Sequence, residues 1–179
     1  MHVLVLYHSR SGNTKKLAEE IAKGVEEAGL PAPSGAPVRA AAGGRQAGEV
    51  KAILKSAAEV TGEDFKLCDG LIAGSPVYFG TMAAELKAVF ERFVVTRRNM
   101  EGKIGAAFAT SADASGGKET TLMSIIQAML IYGMVIAGDP LEATGHYGIS
   151  CAGAPDEKTL ANARKLGKRV AMLVTRMAL

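Results

Sequence analysis

The sequence predicts an α/β fold in which a doubly wound, five-stranded parallel sheet of order 2-1-3-4-5 carries helices on both faces. Three observations lead there. Short Val, Leu and Ile runs of strand length recur along the chain, beginning with His2–Tyr7. Between them lie longer segments whose apolar residues recur at helical spacing, and such alternation joins parallel strands through right-handed crossovers. The chain has 179 residues, 48% of them hydrophobic, which suits a single domain over residues 1–179 with a full core.

His2–Tyr7 is nearly continuous in aliphatic residues, the mark of a strand buried on both faces. Asn13–Ala28 places Leu17, Ala18, Ile21, Ala22 and Val25 on one helical face, opposite most of its lysines and glutamates, and Gly29 ends it. Pro31–Gly48 is rich in Pro, Gly and Ala, with Val38 as its one large aliphatic residue. A second strand at the sheet edge can be short and weak, so Val38–Ala41 is read as that strand and Glu49–Val60 as the helix returning over the sheet. Gly70–Ser75 is the third strand. Met82 to Thr96 reads as a helix with Leu86, Val89, Phe90 and Phe93 inward. Ile104–Thr110 is the next strand, Lys118–Tyr132 a helix closed by Gly133, and Met134–Ala137 a short strand. Asp156–Met177 ends the chain as a helix, with Leu160, Ala163, Leu166, Val170 and Val174 on one face.

Composition excludes several classes. The net charge is +3 and no block of Lys and Arg stands out, which argues against nucleic acid as a partner. No apolar stretch is long enough to span a bilayer, and the N-terminus reads as a strand and not a signal peptide, so a cytoplasmic location is expected. Cys68 and Cys151 are far apart and form no metal-ligand spacing with His2, His8 or His146. They are expected to be inert thiols, with no metal bound.

In such a sheet the chemistry sits where loops leave the carboxyl ends of the strands, near the point where strand order reverses. Ser9-Arg10-Ser11-Gly12-Asn13-Thr14 joins the first strand to the first helix. Its hydroxyls and glycine at a helix N-terminus suit a phosphate, and equally supply an ordinary helix cap. It lacks the lysine of a GxxxxGK[ST] loop and is not GxGxxG, which argues against ATP and a dinucleotide fold. Gly74-Ser75-Pro76-Val77-Tyr78-Phe79-Gly80-Thr81 leaves the third strand with two adjacent rings, fit to border a flat heterocycle or to pack in the core or a subunit interface. Thr110-Ser111-Ala112-Asp113-Ala114-Ser115-Gly116-Gly117 follows the fourth strand with residues small enough for a planar ligand to lie against backbone. By itself it reads as a surface loop.

Taken in order, SRSGNT, GSPVYFGTMAAELKAVFER, TSADASGGKETTL and HYG before the final helix resemble the flavodoxin-like NAD(P)H:quinone oxidoreductases of the WrbA type. The resemblance covers most of the chain. It implies flavin mononucleotide (FMN) at the strand ends, NADH or NADPH as electron donor, a quinone or similar small acceptor, and a homodimer or homotetramer. Carried over by position, Ser9, Arg10, Ser11, Gly12, Asn13 and Thr14 would hold the FMN phosphate. Pro76, Val77, Tyr78, Phe79 and Gly80 would border the isoalloxazine, and Thr110, Ser111, Ala112, Asp113, Ser115, Gly116 and Gly117 would cover its polar edge and ribityl chain. Tyr132 stands where the family often has a histidine near a neighbouring subunit's flavin. The family's tryptophan loop and GSRxPS tail have no counterpart in this chain.

No side chain is required as nucleophile for such chemistry, and none is assigned as catalytic acid or base. His8, beside the first loop, and His146-Tyr147 are further candidates to reach the cofactor. Arg97, Arg98 and Lys103 could attract a cofactor phosphate such as that of NADPH, or simply form a solvated face. Two other functions fit the same motifs, a one-electron carrier and a non-catalytic module. Carriers of this kind are strongly acidic, which suits +3 poorly.

Overall fold

The computed structural model describes residues 1–28 and 49–177. Its elements are β1 His2–Tyr7, α1 Asn13–Ala28, β2 Lys51–Ser56, α2 Gly62–Leu67, β3 Gly70–Tyr78, β4 Thr81–Met82, α3 Ala84–Arg92, a 3-10 turn Val94–Thr96, α4 Arg97–Met100, β5 Ile104–Ser111, α5 Lys118–Ile131, β6 Val135–Ile136, β7 Gly148–Ala152 and α6 Glu157–Met177. The sheet has seven strands and runs β2-β1-β3-β5-β6, with β4 on β3 and β7 on β5. All pairs are parallel except β3 with β4, so the reversal of order falls between β1 and β3.

The alternation of side chains along β1 divides the core in two. Leu4 and Leu6 join Phe65, Leu86, Val89, Phe90, Leu122, Ile125 and Met129 beneath α2, α3 and α5. Val3 and Val5 join Leu17, Ile21, Val25, Leu166, Val170 and Val174 beneath α1 and α6. Helices α1 and α6 cross closely over two glycines: a Cβ on Gly24 would lie 2.1 Å from the Arg164 carbonyl oxygen, and one on Gly167 2.1 Å from that of Ile21. Beside this crossing the exposed Arg164 guanidinium and Lys23 both engage the buried Glu20 carboxylate.

Three expectations need correction. Glu49–Val60 is not a helix, because Lys51–Ser56 pairs residue for residue with His2–Tyr7 and, among the described residues, occupies the edge position expected for Val38–Ala41. A ladder of backbone bonds outweighs the modest helix preference of Ala, Leu and Lys there. Val38–Ala41 itself lies outside the described residues. The long helix expected over Met82 to Thr96 is divided: Thr81–Met82 is a strand, and α3 runs only from Ala84 to Arg92. The fifth strand is shared by β6, paired with Ile104 and Gly105, and β7, paired with Ala107 to Ser111. Between them residues 137–147 fold around Asp139, whose carboxylate accepts the amides of Thr144, Gly145 and His146 at 2.9, 2.8 and 2.7 Å.

Helix α2 also went unforeseen, although Thr61 and Asp64 form a reciprocal capping box at its start.

Candidate functional site

The loops after β1, β3 and β5 meet at one end of the sheet. Tyr7 is level with Gly74, and Pro76 with Thr110, so the three strands release their loops side by side. Each loop is tied to another. The His8 amide donates to the Gly74 carbonyl at 3.0 Å. The hydroxyls of Thr14 and Thr110 share a buried hydrogen bond of 2.8 Å. A Cβ on Gly117 would come within 3.1 Å of Gly80 Cα, so the second and third loops touch through two glycines.

In the first loop, Gly12 has a φ of 91°, a left-handed conformation that favours glycine. Its amide donates to Ser9 Oγ at 3.1 Å and its carbonyl accepts from Lys16. The chain thus turns sharply into α1, and the amides of Asn13, Thr14 and Lys15 have no acceptor among the described residues. Free amides in the first turn, with the helix dipole behind them, favour an anion. Ser9, Ser11, Gly12 and Asn13 are the neighbours of this point along the loop. Thr14 lies beneath it, bonded to Thr110.

The second loop is a hairpin and not an open connection. Val77 and Tyr78 pair with Met82 and Thr81, leaving Phe79 and Gly80 as a two-residue turn. Both have positive φ, 52° and 75°, as in a type I′ turn. Phe79 is the one non-glycine residue with positive φ among those described, and its ring is fully exposed at 107%. Strain of this kind is held by surrounding structure, and here the β3–β4 ladder imposes it. Ser75, buried at the root of the hairpin, accepts the Ala83 amide at 2.8 Å.

Asp113 organises the third loop. Its carboxylate accepts the Ser115 amide and hydroxyl, both at 2.9 Å, and these bonds hold its pKa below the usual carboxylate value. Ser111 Oγ donates to the Asp113 carbonyl at 2.6 Å. Gly116 is packed against Ser111 and Asp113, and Gly117, with a φ of 81°, starts α5. Beyond the sequence expectation, the segment after β7 closes the far side of this loop: the Gly153 amide donates to the Ser111 carbonyl at 2.7 Å. Gly148 and Gly153, bounding a strand-length stretch, were the signal for it.

A cleft of about 900 Å³ opens beside the hairpin, between α3 and α5. Tyr78, Phe79, Met82, Glu85, Gln127 and Ile131 are among its walls, and Arg10 is the only contributor from the first loop.

Several sequence candidates lie elsewhere. Tyr132 ends α5, roughly 20 Å of helix away from the third loop at about 1.5 Å per residue. Its ring is 4% exposed among Phe65 and Phe90, its hydroxyl donates to the Phe90 carbonyl at 2.5 Å, and burial pushes its pKa up to about 12. It is a core residue here and does not join the three loops. His146 and Tyr147 precede Gly148, which pairs with Ala107 midway along β5, so they stand at the flank of the sheet. His8 faces Glu85, with Nε2 3.6 Å from Oε1. Arg97 and Lys103 sit at the opposite end of the sheet and bond the carbonyls of Ile131 and Lys66 at 2.9 Å. Burial raises the Cys68 thiol to about 11. Among the described residues no group of three His, Cys, Asp or Glu could hold a metal, and no helix is long and apolar enough to cross a membrane.

A parallel sheet whose three loops converge where strand order reverses defines a flavodoxin-like protein. A solved flavodoxin from the domain Archaea superposes with a TM-score of 0.74 at 26% identity, covering 97% of this chain and 99% of that one. Residues 1–147 match the family described as NADPH-dependent FMN reductase, and the chain belongs to that family. It is 34% identical over 188 residues to an Archaeoglobus fulgidus protein named NAD(P)H dehydrogenase (quinone), covering 98% of both chains. It is also 34% identical over 175 residues to a flavodoxin of Aquifex aeolicus, covering 94% of this chain and 84% of that one.

Proposed function

We propose that the chain is an oxidoreductase that holds FMN on its three converging loops and passes two electrons from NADPH or NADH through it to a quinone or similar small acceptor. The observation that carries this reading is the set of free amides at Asn13, Thr14 and Lys15, in a loop that also carries Ser9 and Ser11, at the switch point of the sheet. A phosphate dianion fits there: the donors are neutral, the helix dipole is favourable, and Gly12 lets the backbone close around it.

FMN, when bound, supplies the chemistry of hydride transfer, and the protein supplies position and electrostatics. Ser9, Ser11, Gly12, Asn13 and Thr14 hold the phosphate in this reading. Pro76, Val77, Tyr78, Phe79 and Gly80 border the ring, with the rigid hairpin fixing its plane. Thr110, Ser111, Ala112, Asp113, Ser115, Gly116 and Gly117 cover the polar edge and the ribityl chain. The Asp113 carboxylate is spent on its own turn, with the Ser115 amide bonded to it and the Gly116 amide to the Asp113 carbonyl, so in this reading the ligand meets the loop's remaining backbone groups. The second substrate enters the neighbouring cleft, whose volume suits a ligand site of about 300–1,000 Å³.

The test is flavin absorbance of the purified protein, followed by steady-state oxidation of NADPH and NADH with benzoquinone. Yellow protein that turns over both substrates is expected. A colourless protein that cannot be reconstituted points to a non-catalytic module, and bound FMN without turnover to an electron carrier. The +3 charge and the second-substrate cleft both favour the reductase over the carrier. The reading includes a homodimer or homotetramer, supported by Leu130 and Ile131 exposed on α5 and read by light scattering.

A further inference from the structure

We infer that Arg10 serves the dinucleotide donor and not the FMN phosphate: its guanidinium anchors the donor's phosphates at the cleft beside the hairpin. The inference rests on the reductase reading above and adds the residue that distinguishes donor from acceptor.

Arg10 is set apart from its neighbours in the first loop by the cleft. It lines the cleft together with Tyr78 and Phe79, whereas Ser9, Ser11, Gly12, Asn13 and Thr14 contribute nothing to that wall. The free amides suited to the FMN phosphate belong to residues 13 to 15 and lie at the helix start. They satisfy that anion without a cation.

The charges of the cleft point the same way. Three of its lining residues are charged: Arg10, Glu85 and Lys87. Glu85 is turned to His8, at 3.6 Å, and Lys87 is paired with Glu91 one helical turn on. Arg10 forms no ion pair or side-chain hydrogen bond with any described residue, so among these it is the cation in this wall left without a carboxylate. A guanidinium presents a planar fork of donors that matches phosphate oxygens in pairs. Nicotinamide dinucleotides carry a charged pyrophosphate, and NADPH a further phosphate. A quinone carries no charge and gains little from the same group. One side chain can therefore raise affinity for the donor while leaving the acceptor's unchanged, which matters when both use one cleft in turn.

The experiment compares wild type, R10Q and R10K. FMN affinity is read by fluorescence titration of the apoprotein, KM for NADPH and for benzoquinone on FMN-loaded protein, and binding of adenosine 2′,5′-bisphosphate by calorimetry. In R10Q we expect KM for NADPH to rise at least tenfold and nucleotide binding to fall by a similar factor. FMN affinity and KM for benzoquinone should stay within threefold of wild type, and R10K should recover part of the loss. Added salt should raise KM for NADPH in wild type and much less in R10Q. A tenfold loss of FMN affinity with KM for NADPH unchanged would overturn the inference, and so would unchanged nucleotide binding. If wild type takes up no FMN, the reductase reading fails, and the calorimetric comparison still decides the role of Arg10.

Discussion

The hydroxyls of Thr14 and Thr110 lie 2.8 Å apart in a buried hydrogen bond that joins the start of α1 to the end of β5. The phosphate-type loop and the Asp113 loop are therefore one unit, held by a bond between residues distant in sequence. Replacing either threonine by valine leaves the other hydroxyl buried without its partner, at a cost of about 1–3 kcal/mol. T14V and T110V should each lower stability in urea titrations, and the double variant should cost less than the two together. FMN affinity should fall in all three. Strict additivity of the stabilities would show that the pair is not coupled.

Phe79 occupies a left-handed turn position with its ring in solvent. A non-glycine residue pays roughly 1–2 kcal/mol in that conformation, and Asn-Gly is the preferred pair for a type I′ turn. F79N should thus stabilise the fold by about 1 kcal/mol on that basis. If its ring borders the flavin, the same change weakens acceptor turnover. A lower denaturation midpoint for F79N would refute the strain argument.

The α1–α6 crossing leaves no room for a methyl group at Gly24 or Gly167, because each faces a backbone carbonyl that cannot move alone. G24A and G167A should each destabilise by about 1–3 kcal/mol, the usual cost of overpacking. Thermal melts would read it. Melting temperatures equal to wild type would mean that the helices separate freely.

Asp139 makes stability depend on acid. Burial by itself would raise its pKa, but the Thr144 hydroxyl and the amides of His146, Thr144 and Gly145 outweigh burial and lower it. A depressed carboxylate pKa contributes stability that is complete above the unfolded value of about 3.9 and is lost as pH falls through the lower folded value. Wild type should lose stability below about pH 4. D139N should be less stable at pH 7, by about 2 kcal/mol for the lost charged acceptor, with a flatter acid limb. Denaturation curves from pH 7 to 3 that run parallel for the two proteins would exclude this role.

Tyr132 gives the opposite test of location. Y132F removes the bond to the Phe90 carbonyl and should cost about 1 kcal/mol. FMN affinity should not change. A selective loss of flavin affinity would return Tyr132 to the site, by way of a neighbouring subunit.

What could be read from sequence followed the strength of the local pattern. β1, α1, β5 and α6 were legible because buried aliphatic runs and amphipathic spacing leave one reading each. β2 was not. Its residues Ala52, Ile53 and Leu54 between Lys51 and Lys55 suit a helix face as well as a strand, and only the ladder with β1 decides. The loop after β1 was legible from Ser, Gly, Asn and Thr at a helix start. That Thr14 turns inward to Thr110 depends on two elements meeting and leaves no local trace. The hairpin at Phe79 was hidden for a different reason, since an aromatic residue is a poor signal for a left-handed turn. For Tyr132 the family motif points to a neighbouring subunit's flavin, and within this chain its ring packs in the core.

The shared fifth strand has one more effect. A sheet edge with a long, straight row of unpaired N–H and C=O groups can recruit a strand from another molecule and seed aggregation. Here that edge is broken into Val135–Ile136 and Gly148–Ala152, with the knot around Asp139 between them. At the other edge, Lys51 and Lys55 place charges along β2. Among the described residues one border is interrupted and the other, though continuous, carries charge, and both devices disfavour the addition of a strand from another molecule.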